Sequence, residues 1–100
     1  MKIMTCDEVE KLIESDDISI IDVREPMEVA FGKIPNAIHI PLGEIESRVN
    51  ELSKETKYAV VCRSGNRSGV ASQFLNSLGY NTYNMVGGMM GWKGKVVSTV

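Results

Sequence analysis

The sequence predicts an α/β fold with a mainly parallel sheet flanked by helices, and three observations carry that prediction. Two short runs, ISIIDV (18–23) and YAVV (58–61), are almost unbroken in apolar, β-branched character, which suits strands covered on both faces. Segments of helical periodicity alternate with these runs, and that alternation marks βαβ organisation. The chain has 100 residues, 43% hydrophobic and 24% charged, the size and composition of one globular domain spanning 1–100 with a single core.

The elements follow in order. Thr5 and Glu8 have the spacing of a capping box, and Val9, Leu12 and Ile13 continue as a helical stripe, so a first helix fits residues 6–14. ISIIDV is the first strand, stopped by Arg-Glu-Pro. PMEVAFG reads as a helical turn with Pro26 at its first position, and IPNAIHIP as a short extended segment fenced by Pro35 and Pro41. Leu42, Ile45, Val49 and Leu52 repeat at helical spacing and predict a helix of about three turns. YAVV is the next buried strand. Val70, Ala71, Phe74, Leu75 and Leu78 then predict one apolar helical face, closed by Gly79 as a left-handed cap. NTYNMV is a further strand, followed by a Gly-rich turn and a short segment around Trp92.

Charge and composition exclude several classes of function. Eleven Lys and Arg against thirteen Asp and Glu give a net charge of −2, which argues against a nucleic-acid surface. The opening MKIMTCDEVE turns acidic before a signal-peptide core forms, and no apolar run is long enough to cross a bilayer. The expectation is a cytoplasmic protein with no membrane partner, and a monomer by default. Cys6 and Cys62 are too few for a disulfide framework, and the one histidine, His39, is far from both in sequence, so no metal-ligand spacing appears.

Chemistry concentrates where YAVV ends, in CRSGNRSG. A cysteine between a strand end and a helix start lies where backbone N–H groups lack internal partners, which favours a thiolate. Gly65 and Gly69 allow a tight curl, so the N–H groups of residues 63–68 are expected to converge as an anion-binding nest. Arg63 and Arg67 add positive charge, and these influences together predict a lowered thiol pKa. A core turn needs no such charge; the pattern describes an activated nucleophile.

CRSGNRS resembles the active-site loop of single-domain rhodaneses. IDVREPMEVAFGKIPNAIHIP is similar to the first signature of that family and GYNTYNMVGGMMGW to its C-terminal one, so the resemblance covers nearly the whole chain. It implies a three-layer fold with a sheet of about five strands, and it implies sulfurtransfer. Cys62 would take sulfane sulfur from thiosulfate or a persulfide donor and pass it to a thiophilic acceptor such as cyanide or an acceptor protein. Arg63, Ser64, Gly65, Asn66, Arg67 and Ser68 would form the substrate-binding cradle, with Asp22 and Arg24 as its supports and no metal or organic cofactor. The segment GKIPNA departs from the family's usual His then Ile-Pro-Gly at Lys33 and Asn36, outside the nucleophilic loop.

Two other readings stand beside this one. Cysteine phosphatases and arsenate reductases use a related cradle, but the phosphatase ring has five residues between Cys and Arg; here only Arg63, Ser64, Gly65 and Asn66 intervene. A non-catalytic binding or sulfur-relay module would keep the fold and dock a partner. Among the remaining residues, Glu25 is expected to favour the following helical turn by its charge. Cys6 is expected to pack with Val9 and Ile13, His39 to be a satisfied strand residue, and Trp92 with Met85, Met89 and Met90 to pack or edge an acceptor surface. GGMMG lacks the Lys-Ser/Thr ending of a nucleotide-binding loop.

Overall fold

The structure is a computed structural model that describes residues 1–100. Its elements alternate as expected: β1 (Ile3–Met4), α1 (Cys6–Glu14), β2 (Ser19–Asp22), α2 (Pro26–Ala30), β3 (Ile38–His39), α3 (Ile45–Arg48), β4 (Lys57–Val61), α4 (Asn66–Ser77) and β5 (Asn81–Met85). The five strands form one sheet in the order β1-β5-β4-β2-β3, and every pairing is parallel.

Side-chain alternation along the central strands divides the core into two layers. Ile21, Val23, Tyr58, Val60 and Cys62 join Ile45, Leu52, Ala71 and Leu75 on the face covered by α3 and α4. Ile20, Ala59 and Val61 join Met4, Val9, Ile34 and Met85 on the face covered by α1. Because both faces are covered, the central strands carry no polar-out alternation. This is why β2 and β4 read as unbroken apolar runs.

Local signals explain the helix ends. Thr5 Oγ1 accepts from the Glu8 N–H at 3.1 Å, and Glu8 Oε1 accepts from the Thr5 N–H at 2.8 Å, closing the capping box of α1. At the far end of α4, Gly79 has φ +95°. Its N–H bonds the Asn76 carbonyl at 3.0 Å while the Tyr80 N–H bonds that of Leu75 at 3.1 Å, the paired bonds of a Schellman cap.

Three expectations are corrected. The periodic segment from Leu42 to Leu52 is not one continuous helix: a single turn of α-helix, α3, sits between 3₁₀ turns at Leu42–Glu44 and Val49–Glu51. The Leu42 N–H is held by the Val23 carbonyl and the Leu52 N–H by that of Val49, and Gly43 and Asn50 are weak helix formers, so the ends tighten instead of extending α-helix. Second, Val70 and Leu78 do not join the buried face of α4, being 62% and 40% exposed. That helix instead buries Ser68, Gly69, Ala71, Ser72 and Leu75. The small polar residues meet β5 through hydrogen bonds, a contact that apolar periodicity cannot register. Third, the opening residues contain a strand, β1, whose two residues are too few to show a period.

Candidate active site

The geometry of β4 and α4 places Cys62. Sheet alternation turns its side chain to the α4 face, where the residue is fully buried, and α4 begins four residues later at Asn66. Between them Gly65 takes φ +104°, a left-handed conformation that glycine adopts without strain. The curl points the Gly65 N–H at Cys62 Sγ, 3.0 Å away, and the Ser68 hydroxyl lies 3.3 Å from the same sulfur.

Burial raises the pKa of the Cys62 thiol, but the Ser68 hydroxyl and the backbone N–H groups of Ser68, Gly65 and Ser64 outweigh it, so the net shift is downward. Hydrogen bonds to the charged form produce this shift. The convergence of N–H groups expected from the sequence is therefore present. Hydrogen bonds, more than the arginine charge that the sequence adds to them, lower the thiol pKa.

Arg63 is exposed and joins none of the chain's ion pairs. Arg67 is turned toward α2, where it meets Glu28 through two parallel bonds of 2.7 and 2.9 Å. Such a fork is the strong form of the Arg–carboxylate pair, and Arg67 holds the Glu28 carboxyl down to about 2. Of the other cradle residues, Ser64 and Asn66 are exposed and Ser68 is fully buried.

Asp22 and Arg24 are brought together at the end of β2. Arg24 Nε and Nη2 bond the Asp22 carboxylate at 2.9 to 3.2 Å, with both residues buried. Nη2 also donates to the Gly32 carbonyl at 2.7 Å, fastening the chain just beyond α2. The pair thus braces α2, and α2 in turn meets the loop through Glu28 and Arg67. His39 is satisfied as expected: its Nε2 lies 2.7 Å from the Arg24 carbonyl oxygen.

Three site residues escaped the sequence reading. Glu28 was one more charge in PMEVAFG, with no local sign that its partner lay on α4. Asn84 is 6% exposed on β5; its Oδ1 accepts from Ser68 Oγ at 2.6 Å and its Nδ2 donates to the Gly65 carbonyl at 3.1 Å. Gly88 belongs to the Gly-rich turn, whose role was unassigned. The Met89 N–H bonds the Cys62 carbonyl at 2.8 Å and the Met90 N–H that of Arg63 at 3.0 Å, so this turn clamps the loop backbone. A Cβ on Gly88 would lie 2.7 Å from the Cys62 carbonyl oxygen, which explains the glycine. Cys6 sits beneath the same turn, its Sγ 3.5 Å from the Gly88 carbonyl oxygen, packed against the α1 face of the core as expected.

A buried cysteine on a strand end, ringed by converging N–H groups in an α/β sheet, defines a class of nucleophilic, anion-stabilising sites. The chain matches the rhodanese-like domain over residues 5–95, and it belongs to that family. Among its relatives is YtwF of Bacillus subtilis, designated a candidate sulfurtransferase, 43% identical over 86 residues that span 86% of this chain and 84% of that protein. YrkF of the same organism, designated a candidate sulfur carrier protein, is 39% identical over 87 residues, spanning 86% of this chain and 47% of its own length. A rhodanese-like domain protein from Staphylococcus aureus superposes with a TM-score of 0.92 at 35% identity, with complete coverage of both chains. These relatives support sulfurtransfer as the class of activity. No helix is long and apolar enough to cross a membrane.

Proposed function

We propose that this chain is a sulfurtransferase of one domain, acting as a monomer in the cytoplasm, in which Cys62 carries the transferred sulfur as a persulfide. The observation that carries the reading is the Cys62 sulfur itself, held by N–H groups of a tight loop that lower its pKa. The Cys62 thiolate attacks the outer sulfur of thiosulfate or another sulfane donor. A new S–S bond forms, the donor's S–S bond breaks, and sulfite, or a thiolate from a persulfide donor, leaves with the electron pair. A thiophilic acceptor then attacks the outer sulfur of the persulfide and expels the Cys62 thiolate, so each step exchanges one bond to sulfur for another.

The roles divide by position. The N–H groups of Ser64, Gly65 and Ser68 stabilise the anionic sulfur, as preorganised donors do for developing charge. Exposed Arg63, Ser64 and Asn66 receive an anionic donor at the mouth of the cradle, while Arg67 fixes the loop through Glu28. Asp22 and Arg24 support that arrangement through α2. No metal or organic cofactor enters the scheme.

Incubation with thiosulfate followed by intact-mass measurement tests the reading. The wild-type protein gains the mass of one sulfur atom and loses it on addition of cyanide, whereas Cys62→Ser gains nothing. Failure of the wild type to gain sulfur from thiosulfate, polysulfide or glutathione persulfide overturns the proposal. The designation of YrkF as a candidate sulfur carrier favours a second reading, a relay loaded by a partner enzyme. A relay forms the persulfide but turns over slowly with thiosulfate and cyanide together. Hydrolysis of an aryl phosphate by Cys62 would instead favour phosphatase chemistry.

A further inference from the structure

The contacts of Ser68 raise a question of proton supply. A hydroxyl carries one proton, yet two acceptors face Ser68 Oγ: Asn84 Oδ1 at 2.6 Å and Cys62 Sγ at 3.3 Å. The orientation of the Asn84 amide is fixed chemically. Its other end lies 3.1 Å from the Gly65 carbonyl oxygen, which can only accept, so the NH₂ faces Gly65 and the amide oxygen faces Ser68. Ser68 and Cys62 are fully buried and Asn84 nearly so, which leaves little access for solvent to supply a substitute donor.

We propose that Asn84 is a positioning residue that competes with the Cys62 sulfur for the single hydroxyl proton of Ser68, and through its amide N–H steadies the Gly65 carbonyl of the loop. With Cys62 as a thiol, the Ser68 hydroxyl donates to Asn84 and the S–H can donate to Ser68 Oγ. When the sulfur becomes an anion, the hydroxyl turns to it and the Asn84 oxygen loses its donor. Asn84 thus restrains ionisation of the resting thiol, while Ser68 remains available to an anionic sulfur. No bond between heavy atoms changes; the hydroxyl rotates about its own C–O bond.

The charged groups around Cys62 do not change in this rotation. They are Arg63 in the loop, Arg67 on α4 with Glu28 on α2, Glu25 preceding α2, and the Asp22–Arg24 pair, Asp22 lying opposite Val61 in the sheet. Substitutions at Asn84 or Ser68 leave all of them in place.

The inference rests on Cys62 being the reactive sulfur and deepens that reading. Its test measures the thiol without any sulfur donor, so the two can fail separately. Alkylation by iodoacetamide is followed against pH on the peptide containing Cys62, which keeps Cys6 out of the signal. Ser68→Ala raises the midpoint by about one pH unit and Asn84→Leu lowers it by about half a unit, the scale of one modest hydrogen bond. In the Ser68→Ala background Asn84→Leu produces no lowering, because its effect acts through the hydroxyl. An equal fall with and without Ser68, or no fall in Asn84→Leu alone, overturns the proposal. Asn84→Ala is read in the same way if far-UV circular dichroism shows that the leucine variant does not fold.

Discussion

The Cys62–Arg67 loop is supported from two sides by opposite chemistry. Toward α2 the support is ionic and half-exposed: Arg67 and Glu28 keep 34% and 31% of their side-chain surface accessible. Toward β5 it is neutral and buried: Ser68 on Asn84, Ser72 on Thr82, and the backbone clamp of the Gly87–Gly88 turn. Water and salt can replace much of what the ionic side offers, because exposed charges are screened. The buried side has no such substitute, since an unpaired polar group away from water carries its full desolvation cost. Rigidity of the sulfur site should therefore come from β5, and tuning of its mouth from α2.

The strongest way to break this contrast is Gly88→Ala. The added Cβ meets the Cys62 and Arg63 backbone, and the residue already has φ +56°, so the neighbours that must yield are main-chain atoms. Loss of stability on the order of 3 kcal/mol is expected from overpacking with backbone strain, together with loss of sulfur loading. Urea unfolding and intact mass after thiosulfate check it. A variant as stable and active as wild type would show that the turn is not a rigid clamp.

Thr82→Val comes next. It removes the hydroxyl that meets Ser72 Oγ at 3.0 Å and Asn76 Nδ2 at 2.8 Å. Asn76 keeps the Tyr80 and Thr82 carbonyls, but Ser72 loses its Thr82 side-chain partner in a fully buried position. A cost of about 2 kcal/mol is expected, unchanged between low and high salt. A marked salt dependence would contradict the assignment of this seam as neutral.

Glu28→Gln probes the ionic side and should cost about 1 kcal/mol or less, shrinking further in concentrated salt. Its pH signature has a definite sign. The folded-state pKa of Glu28 lies below its ordinary value, so its contribution is fully present above about 4.5 and is lost as pH falls through about 2. Wild type should therefore lose stability across that interval relative to Glu28→Gln. Denaturant titrations of both proteins at several acidic pH values measure the difference, and parallel pH curves would remove the ionic anchor from the account.

The two sides also differ in how much of them the sequence discloses. Cys62, the strands before it and the bend at Gly65 are local patterns that fall where the spacing places them, whereas Gly69, also expected to help the curl, lies inside α4. Arg67 was legible as a cation near the thiol, but its engagement with Glu28 depends on a contact across 39 positions of chain. The neutral seam was less legible still. Ser68, Ser72, Thr82 and Asn84 are polar residues in segments read for apolar periodicity, and a helix packed on hydrogen bonds leaves no apolar stripe. That is why Val70 was placed in the core while Ser68 and Ser72 hold the buried positions.

Val70→Thr turns that misplacement into the smallest test. Were Val70 a core residue, the change would put a hydroxyl into an apolar layer and cost more than 1 kcal/mol or so. In the structure Val70 is 62% exposed; it stands between an open recess shared with Ser64, Asn66 and Gln73 and an apolar one shared with Leu42, Ile45 and Phe74, and at that exposure a hydroxyl is readily solvated. Threonine also has nearly the shape and the helix propensity of valine. The expected change in stability is thus within about 0.5 kcal/mol, with sulfur loading unchanged. A larger loss in urea unfolding would mean that α4 rests on its apolar residues and that the Ser68, Ser72, Thr82 and Asn84 hydrogen bonds are secondary to them.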